Sequence, residues 1–357
     1  MKNQITRRDF IQKSSLATLA FSIPFPSIPE FLKDYSMGVV VHSYGMRYGG
    51  RIKSEKYPPF LDALNLMKHC HTLGAGGVQT MVGGWDEDFG KKLRTESDQS
   101  GMYLEGSIGL PKDEADLERF EREIRIAKEG GVFIFRTVCL NGRRYENFDS
   151  KNQFDKFKSN AIHSLELAEG VVRKHQVKLA VENHKDWKAA ELVEILINLG
   201  SEWVGATVDF GNNVSLLEDP NQVIETLAPY AFSTHIKDMG VKEYEDGFLL
   251  SEVPLGEGIV DLKKGMDLCK KYNPAIRFSL EMITRDPLQI PCLTEHYWST
   301  FDNPSAVEFA RNLAMVRQHE FNGKLPETSS LSPDEKLALE EEHVQKCLYY
   351  SKINLLT

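Results

Sequence analysis

The sequence predicts an α/β protein, specifically a (β/α)8 TIM barrel with extra helices at its C-terminal end. Eight short apolar segments alternate with longer amphipathic segments from about residue 36 onward, which is the pattern of parallel β-α units. Eight such units over roughly 250 residues match the size of a closed barrel. A doubly wound open sheet is the alternative, but the glycines of HSYGMRYGGR (42–51) lack the G-x-G-x-x-G spacing of a phosphate loop.

The predicted strands are short apolar runs, several of which end in charged or polar residues. They comprise residues 37–44, 75–82, 102–111, 132–140, 177–183, 204–210, 232–238 and 276–283.

The predicted helices lie mostly between these strands. Apolar residues at helical spacing predict a helix within 58–74, and a second pattern over 113–131 ends at a glycine pair. Segment 285–300, directly after the last strand, is predicted to be a long irregular loop on the catalytic face. The remaining predicted helices are 153–176, 187–199, about 219–228, 261–272, 303–319 and about 332–350.

The N-terminal segment predicts export. Thr6-Arg7-Arg8-x-Phe10-Ile11 precedes a small apolar run from Ser14 to Phe25 that is too short to span a bilayer. The pattern resembles a twin-arginine signal, which implies the twin-arginine export machinery as a partner and a periplasmic or otherwise exported location. An ordinary amphipathic N-terminal helix is the alternative. We therefore divide the chain into a signal segment (1–30), the barrel (31–320) and a C-terminal helical extension (321–357).

Composition narrows the classes of partner. The net charge of −9 and the pI of about 5.7 argue against a nucleic-acid surface, which needs a basic face. Stable insertion into a membrane is not expected either. The five cysteines have no spacing typical of a disulfide framework. The C-terminal helices are expected to cover a barrel end or to contact another subunit of a homo-oligomer.

Four metal-competent residues stand at or near the ends of consecutive predicted strands. They are Glu182, Asp209, His235 and Glu281. Because the carboxyl ends of parallel barrel strands converge on one face, we expect them to form a site rich in oxygen, suited to Mn²⁺ or Mg²⁺. Zn²⁺ is possible, although it more often recruits further His or Cys ligands. Each residue alone has a plainer interpretation, as a helix cap, a turn residue or a buried hydrogen-bonded histidine.

Five motifs carry a resemblance to a known family. VEN (181–183), VDFGN (208–212), THIKD (234–238), PLGEGIVDL (254–262) and SLEM (279–282) resemble the xylose isomerase-like TIM barrel superfamily, often labelled sugar phosphate isomerase/epimerase. The resemblance covers about residues 36–320. It implies one divalent metal ion, most often Mn²⁺ with Mg²⁺, Co²⁺ or Zn²⁺ as possibilities, held by Glu182, Asp209, His235 and Glu281.

Two positions depart from the ketose 3-epimerases of that superfamily. Those enzymes have a second acid/base Glu six residues after the first ligand and a His three residues after the Asp ligand. Here the positions are Lys188 and Asn212. The two-carboxylate epimerase mechanism is therefore in doubt. His184 and the His-x-Lys-Asp motif at 235–238 resemble more closely the branch that contains inosose dehydratase and keto-sugar lyases.

His184 and Lys237 are the candidate catalytic residues. In both branches a metal-bound carbonyl stabilises an enolate while a nearby base takes the α-proton. Histidine needs little adjustment of its pKa for this task, whereas a lysine base needs a lowered pKa. His184 could instead contact a metal ligand, and Lys237 could bind substrate or pair with Asp238.

Five further residues are candidate substrate contacts, and most of them have a structural alternative. Glu257 could cap the following helix, and Arg136 could pair with an acidic neighbour outside the cavity. Glu105 is expected to be structural. No basic cluster predicts a phosphate pocket. The candidate substrate-binding residues are His42, Arg136, Glu257, Arg285 and Trp298.

These observations together predict an exported, metal-dependent enzyme that acts on a sugar or keto-sugar through an enolate. Isomerisation or epimerisation is the reaction that the resemblance implies. Dehydration, another lyase reaction or cleavage of a 3-keto-glycoside is the alternative, and a non-catalytic sugar-binding protein is a third. A superfamily relative that cuts abasic DNA would carry more histidine ligands than this chain has.

Overall fold

The computed structural model of the protein describes residues 37–302 and 304–356. The predicted signal segment, residues 1–30, lies outside the described residues, so its export role stays a prediction. Within the described part of the chain, no helix combines the length and apolar character needed to cross a membrane.

Eight parallel strands close into a barrel, which confirms the predicted fold class. Around the ring the order is β1, β2, β3, β4, β5, β6, β7, β10 and back to β1. Their residues are almost all buried on both faces, as expected for parallel strands between a packed interior and a layer of helices. The strands are β1 (Gly38–Val40), β2 (Gly77–Met81), β3 (Tyr103–Ser107), β4 (Ile134–Thr137), β5 (Lys178–Glu182), β6 (Val204–Asp209), β7 (Ala231–Ile236) and β10 (Ser279–Leu280).

Helices follow the strands, and several begin at a side-chain cap that satisfies free backbone N–H groups. Ser150 and Asp261 each accept a hydrogen bond from the backbone of the first turn of the helix that follows. The helices are Ala63–Thr72, Glu87–Ser100, Leu117–Glu129, Arg144–Asn147, Lys151–His175, Ala189–Leu199, Pro220–Leu227, Leu262–Tyr272, Glu295–Trp298, Ala306–Gln318 and Pro333–Tyr350.

A small antiparallel sheet stands outside the ring. Strands β8 (Asp238–Tyr244) and β9 (Gly247–Val253) form a hairpin, and β11 (Leu288–Ile290) pairs with β9. The sequence did not predict the hairpin, and the prediction of an irregular 285–300 segment was wrong, because β11 and the helix Glu295–Trp298 lie within it. This sheet holds the loop after β10 against the barrel.

The C-terminal helix packs against loops at the carboxyl end of the barrel. Glu340 accepts hydrogen bonds from the backbone N–H groups of Met46 and Arg47, which follow β1. The hydroxyl of Thr284, just after β10, lies 2.9 Å from Nδ1 of His343. The extension therefore covers part of the face on which the four predicted metal ligands lie.

Gly247 is required where the hairpin meets β11. Its φ angle is +151°, and a Cβ atom there would collide with the carbonyl oxygen of Ile290 and lie 2.9 Å from Sγ of Cys292. Only glycine adopts such a conformation without strain.

We expect Gly247→Ala to lower the free energy of unfolding by at least about 2 kcal/mol, because backbone strain and a steric clash act together. Gly101→Ala is the matched control, since Gly101 has φ +70° but no atom within 4 Å of an added Cβ, and it should cost about 1 kcal/mol. Urea denaturation of both variants measures the difference. Equal losses of unfolding free energy in the two variants would show that the steric clash with Ile290 contributes nothing.

Candidate metal centre and active site

Glu182, Asp209, His235 and Glu281 converge at the carboxyl end of the barrel. Glu182 and Asp209 end β5 and β6, His235 lies near the end of β7, and Glu281 directly follows β10. One potential ligand atom from each lies within 4.8 Å of the others, and the four residues are at most 3% exposed. The cluster could hold a metal ion.

The hydrogen bonds of His235 leave one ring nitrogen directed at the carboxylates. Its Nε2 lies 2.7 Å from Oε1 of Gln79. Its Nδ1 has no hydrogen-bond partner and lies 3.4 Å from Glu281 Oε1 and 3.5 Å from Glu182 Oε2. Burial lowers the pKa of His235, but these two carboxylates outweigh it and raise the pKa to about 9.

The donor set fits a divalent cation. Three buried carboxylates repel one another, and an imidazole nitrogen without a hydrogen-bond partner faces them. Burial, opposed by Lys237 and reinforced by Glu182 and Glu281, raises the pKa of Asp209 to about 6. Hard, oxygen-rich sites with one imidazole suit Mn²⁺ or Mg²⁺ better than Zn²⁺.

A buried chain of polar residues fixes the orientation of the His235 ring. Gln79 donates from Nε2 to Oε2 of Glu105 at 3.0 Å, and the hydroxyl of Ser233 donates to the same oxygen at 2.7 Å. Burial raises the pKa of Glu105 despite these hydrogen bonds. Glu105 thus has a structural role, as predicted, because it accepts a hydrogen bond from Gln79, which in turn contacts His235.

Two protein cations contact the carboxylates directly. The guanidinium of Arg136 pairs with Glu182. Lys237 Nζ lies 2.7 Å from Asp209 Oδ2, without the geometry of a hydrogen bond, and 2.5 Å from Glu281 Oε2. Arg136 thus has an acidic partner, but that partner is a predicted metal ligand in the cluster and not a residue outside the cavity.

The electrostatics of Lys237 oppose a role as a base when no metal ion is bound. Burial lowers its pKa, but Asp209 and Glu281 outweigh that effect and raise the pKa well above its usual value. The sequence-based expectation for a lysine base was a lowered pKa. Asp238, its suggested partner, is engaged elsewhere, since it accepts hydrogen bonds from the backbones of Gly256, Gly258 and Val260.

The two departures from the epimerase pattern have different places in the structure. Asn212 is at the cluster, where its Nδ2 donates to Glu182 Oε1 at 2.8 Å and its backbone N–H to Asp209 Oδ1 at 2.7 Å. Lys188 lies away from the cluster, because it caps the helix Ala189–Leu199 and its Nζ lies 5.7 Å from the ring centre of Phe301. The position therefore supplies no second acid/base carboxylate to the cluster.

His184 and His42 are both neutral at pH 7. Burial lowers the pKa of His184 to about 3 and that of His42 to about 4, and Glu182 and Glu281 respectively oppose the shift. Nδ1 of His184 lies 3.1 Å from the carbonyl oxygen of Leu140. A hydrogen bond there requires a proton on Nδ1, which leaves Nε2 unprotonated.

The loop after β5 is held by a buried carboxylate. Asp186 accepts hydrogen bonds from the backbone N–H groups of Leu140, His184 and Trp187. Burial outweighs these bonds and raises the pKa of Asp186 to about 7. Asp186 therefore positions the loop that carries His184.

Two charged residues near the cluster were not found from the sequence. Lys185 is 4% exposed and donates to Oδ1 of Asn212. Glu252, on the hairpin, is 1% exposed and pairs with Arg285 at 2.6 Å. Lys185 had only its place after β5 as a signal, and Glu252 had none because the hairpin was not predicted.

Two of the predicted substrate contacts lie in surroundings other than the four-residue cluster, and their role in binding substrate stays a prediction. Glu257 lines a groove of about 720 Å³ with His343 and Lys346, and none of the four cluster residues lines that groove. The indole N–H of Trp298 donates to the carbonyl oxygen of Cys292 at 2.8 Å, and its ring packs against other aromatic rings. Trp298 is thus packed within the loop that follows β10.

Comparison with known proteins agrees with this architecture. A sequence model of the family described as xylose isomerase-like TIM barrel matches residues 99–300. The 3-oxo-isoapionate decarboxylase of Pectobacterium atrosepticum is 27% identical over 174 residues, which cover 48% of this chain and 58% of the relative. The alignment thus spans less than two thirds of that relative's length.

Solved structures of low sequence identity share the fold. A D-psicose 3-epimerase in the presence of D-fructose has a TM-score of 0.55 at 13% identity, over 88% of this chain and 97% of the other. A Mycobacterium smegmatis xylose isomerase-like TIM barrel protein in complex with magnesium has a TM-score of 0.54 at 16% identity, over 80% and 98%. The 3-keto-D-glucoside 4-epimerase of E. coli has a TM-score of 0.52 at 12% identity, over 80% and 100%.

These likenesses to solved structures establish the fold alone. The family model, in contrast, covers more than half of the sequence. The matched region includes all four residues of the metal-competent cluster. The chain belongs to the xylose isomerase-like TIM barrel family.

Proposed function

We propose that the protein is a divalent-metal-dependent sugar isomerase or epimerase that removes the proton beside the carbonyl of a keto-sugar. The observation that carries this proposal is the convergence of three carboxylates and one imidazole within 4.8 Å at the carboxyl end of the barrel. Catalytic groups of TIM barrels lie on that face.

The proposed metal ion is Mn²⁺, with Mg²⁺, Co²⁺ or Zn²⁺ as alternatives, held by Glu182, Asp209, His235 and Glu281. When bound, it supplies a Lewis acid that polarises the substrate carbonyl and stabilises the enolate. Arg136 and Asn212 orient Glu182, and Gln79 orients His235. Such outer partners tune both affinity and geometry.

We assign His184 as the base and Lys237 as a cation that faces the developing enolate. His184 is unprotonated at neutral pH, the state that a base requires, and its proposed free nitrogen is Nε2. Lys237 remains protonated beside Asp209 and Glu281. A cation near the oxygen on which charge develops lowers the energy of the transition state.

A second candidate reaction is elimination by a keto-sugar lyase or dehydratase, or cleavage of a 3-keto-glycoside. It is favoured by the place of Lys188, which leaves the cluster without the second acid/base Glu of the two-carboxylate epimerases. The similarity to a 3-oxo-isoapionate decarboxylase is compatible with the same chemistry, because loss of CO₂ beside a ketone also leaves an enolate. A non-catalytic sugar-binding protein remains the third alternative.

Export is part of the proposal. The pattern at Arg7 and Arg8 supports passage through the twin-arginine machinery to the periplasm. Free sugars or glycosides are then more natural substrates than phosphorylated metabolites. A homo-oligomer formed through the C-terminal helices is also compatible with the sequence.

Protein purified without chelator should contain about one divalent ion per chain, and Glu182→Gln should weaken metal affinity by at least about 100-fold, because a charged ligand is lost. Glu257→Gln is the control, since Glu257 lines a different groove. Elemental analysis and titration with Mn²⁺ measure both. A metal-free protein whose Glu182→Gln variant behaves as wild type would refute the metalloenzyme proposal.

With a keto-sugar substrate in D₂O, the metal-loaded protein should exchange the proton beside the carbonyl for deuterium. His184→Gln should slow this exchange by about 10²- to 10⁴-fold, the usual contribution of a general base, whereas His163→Gln on the outer helix Lys151–His175 should not. NMR of the products distinguishes the reactions. Epimerisation keeps every substituent, elimination from a 3-keto-glycoside releases the aglycone, and no exchange with either class would favour a binding protein.

A further inference from the structure

Lys185 is a buried cation without an acidic partner. It is 4% exposed, and among residues 37–302 and 304–356 no carboxylate oxygen forms a salt bridge with it within 4.0 Å. Its Nζ donates one hydrogen bond, to Oδ1 of Asn212. Because a lysine ammonium carries three N–H donors, two of them are left for a ligand.

The backbone at Lys185 is also in an unfavourable conformation. Its φ angle is +68°, in the left-handed region that costs a non-glycine residue about 1 kcal/mol or more. The carbonyl oxygen of Lys185 accepts a hydrogen bond from the backbone of Arg144, and the Asp186 side chain accepts hydrogen bonds from the backbone N–H groups of His184 and Trp187. The fold therefore holds this ammonium in place at a cost in both backbone strain and desolvation.

The ammonium group of Lys185 lies next to the candidate metal centre. Asn212 links the two, because its Oδ1 faces Lys185 and also lies 3.4 Å from Lys237 Nζ, while its Nδ2 binds Glu182. Burial, Lys237 and Arg285 lower the pKa of Lys185 to about 8, so the ammonium is still mostly charged at pH 7. Glu252 does not neutralise it by direct contact, since its carboxylate pairs with Arg285 and lies more than 4.0 Å from Lys185 Nζ.

The charge balance of the metal-loaded site favours an anionic ligand. When His235 is neutral, as a histidine that binds a metal ion must be, the carboxylates of Glu182, Asp209, Glu281 and Glu252 are matched in number by the cations of Arg136, Lys185, Lys237 and Arg285. A divalent ion adds two positive charges that burial makes costly unless they are neutralised. One negative charge on the substrate and one on the enolate oxygen would restore neutrality when the enolate forms.

We propose that Lys185 binds a carboxylate of the substrate, so that the substrate is an acidic keto-sugar rather than a neutral one. The inference rests on the proposed function, because it places the carboxylate beside a ketone bound at the metal centre. A carboxylate suits the two remaining donors of Lys185 and supplies the single charge that the site requires. A phosphate dianion would bring a second negative charge and a third terminal oxygen. Arg285 is already paired with Glu252 and therefore does not supply the additional donors that a phosphate needs.

The test compares three forms of one ketose with the Mn²⁺-loaded protein: D-fructose, its 6-carboxylate and its 6-phosphate. Isothermal titration calorimetry should show that the 6-carboxylate binds at least about tenfold more tightly than the neutral sugar. Lys185→Gln should abolish that preference. Lys188→Gln, which removes a lysine of the same segment that lies away from the cluster, should preserve it.

The melting temperature separates loss of binding from loss of folding. Lys185→Gln removes a buried charge without an acidic partner, so its melting temperature should equal or exceed that of the wild-type protein. A variant that melts at a clearly lower temperature would show that the ammonium stabilises the fold and would count against a ligand-binding role.

Three outcomes of the titrations would overturn the proposal. They are equal affinities for the neutral and carboxylate forms, an unchanged preference in Lys185→Gln, and no binding of any of the three. Tighter binding of the 6-phosphate than of the 6-carboxylate would assign the pocket to phosphate instead. Failure of the proposed function is a different result, since it appears as absence of bound metal and of deuterium exchange whatever residue 185 is.

Discussion

The mutual repulsion of three buried carboxylates is the constraint on which the rest of the site depends. Glu182, Asp209 and Glu281 lie within a few ångströms of one another and are almost fully buried. Carboxylates so placed raise one another's pKa unless cations lie between or beside them. Arg136 and Lys237 supply part of the compensation from the protein, and the arrangement of the remaining donors suits a divalent ion for the rest.

Residues farther out exist largely to hold this charged centre in one geometry. Glu105 and Gln79 fix the ring of His235 through the interior of the barrel, on the side away from the carboxylates. On the other side, Asn212 joins β6 to β5 through Glu182 and Asp209. Because each of these polar groups is buried, losing one partner leaves another unsatisfied, which costs more than a surface hydrogen bond contributes.

The ring of strands and the residues at their ends could be predicted from sequence, because both follow from local patterns. Short apolar runs define β5, β6 and β7, and parallel closure brings Glu182, Asp209 and His235 to one face. Lys185 could not be predicted to lie there, since its side chain is directed inward by a left-handed backbone angle that lysine rarely adopts. The roles of His184 and Lys237 stay predictions.

Other features depend on tertiary structure that local patterns do not encode. Glu252 reaches the site from a hairpin outside the ring, and Arg285 comes to it through that pairing. Glu257 and Trp298 were assigned to the substrate from their position in motifs and loops. In the structure Glu257 lines a groove with residues of the C-terminal helix, and Trp298 packs against neighbouring aromatic rings.

The seam between β1 and β10 has a consequence for the order of folding. Gly38 pairs with Ser279 and Val39 with Leu280, so the ring closes between segments that are far apart along the chain. Bringing such distant segments together carries a large loop-closure entropy, which makes this pairing a late event. Glu281 directly follows β10, and β10 pairs with β7 on its other side, so the four-residue cluster is complete once β10 has joined β7. An ion that binds the complete cluster would therefore hold β10 beside β7, in the position from which it pairs with β1 to close the ring.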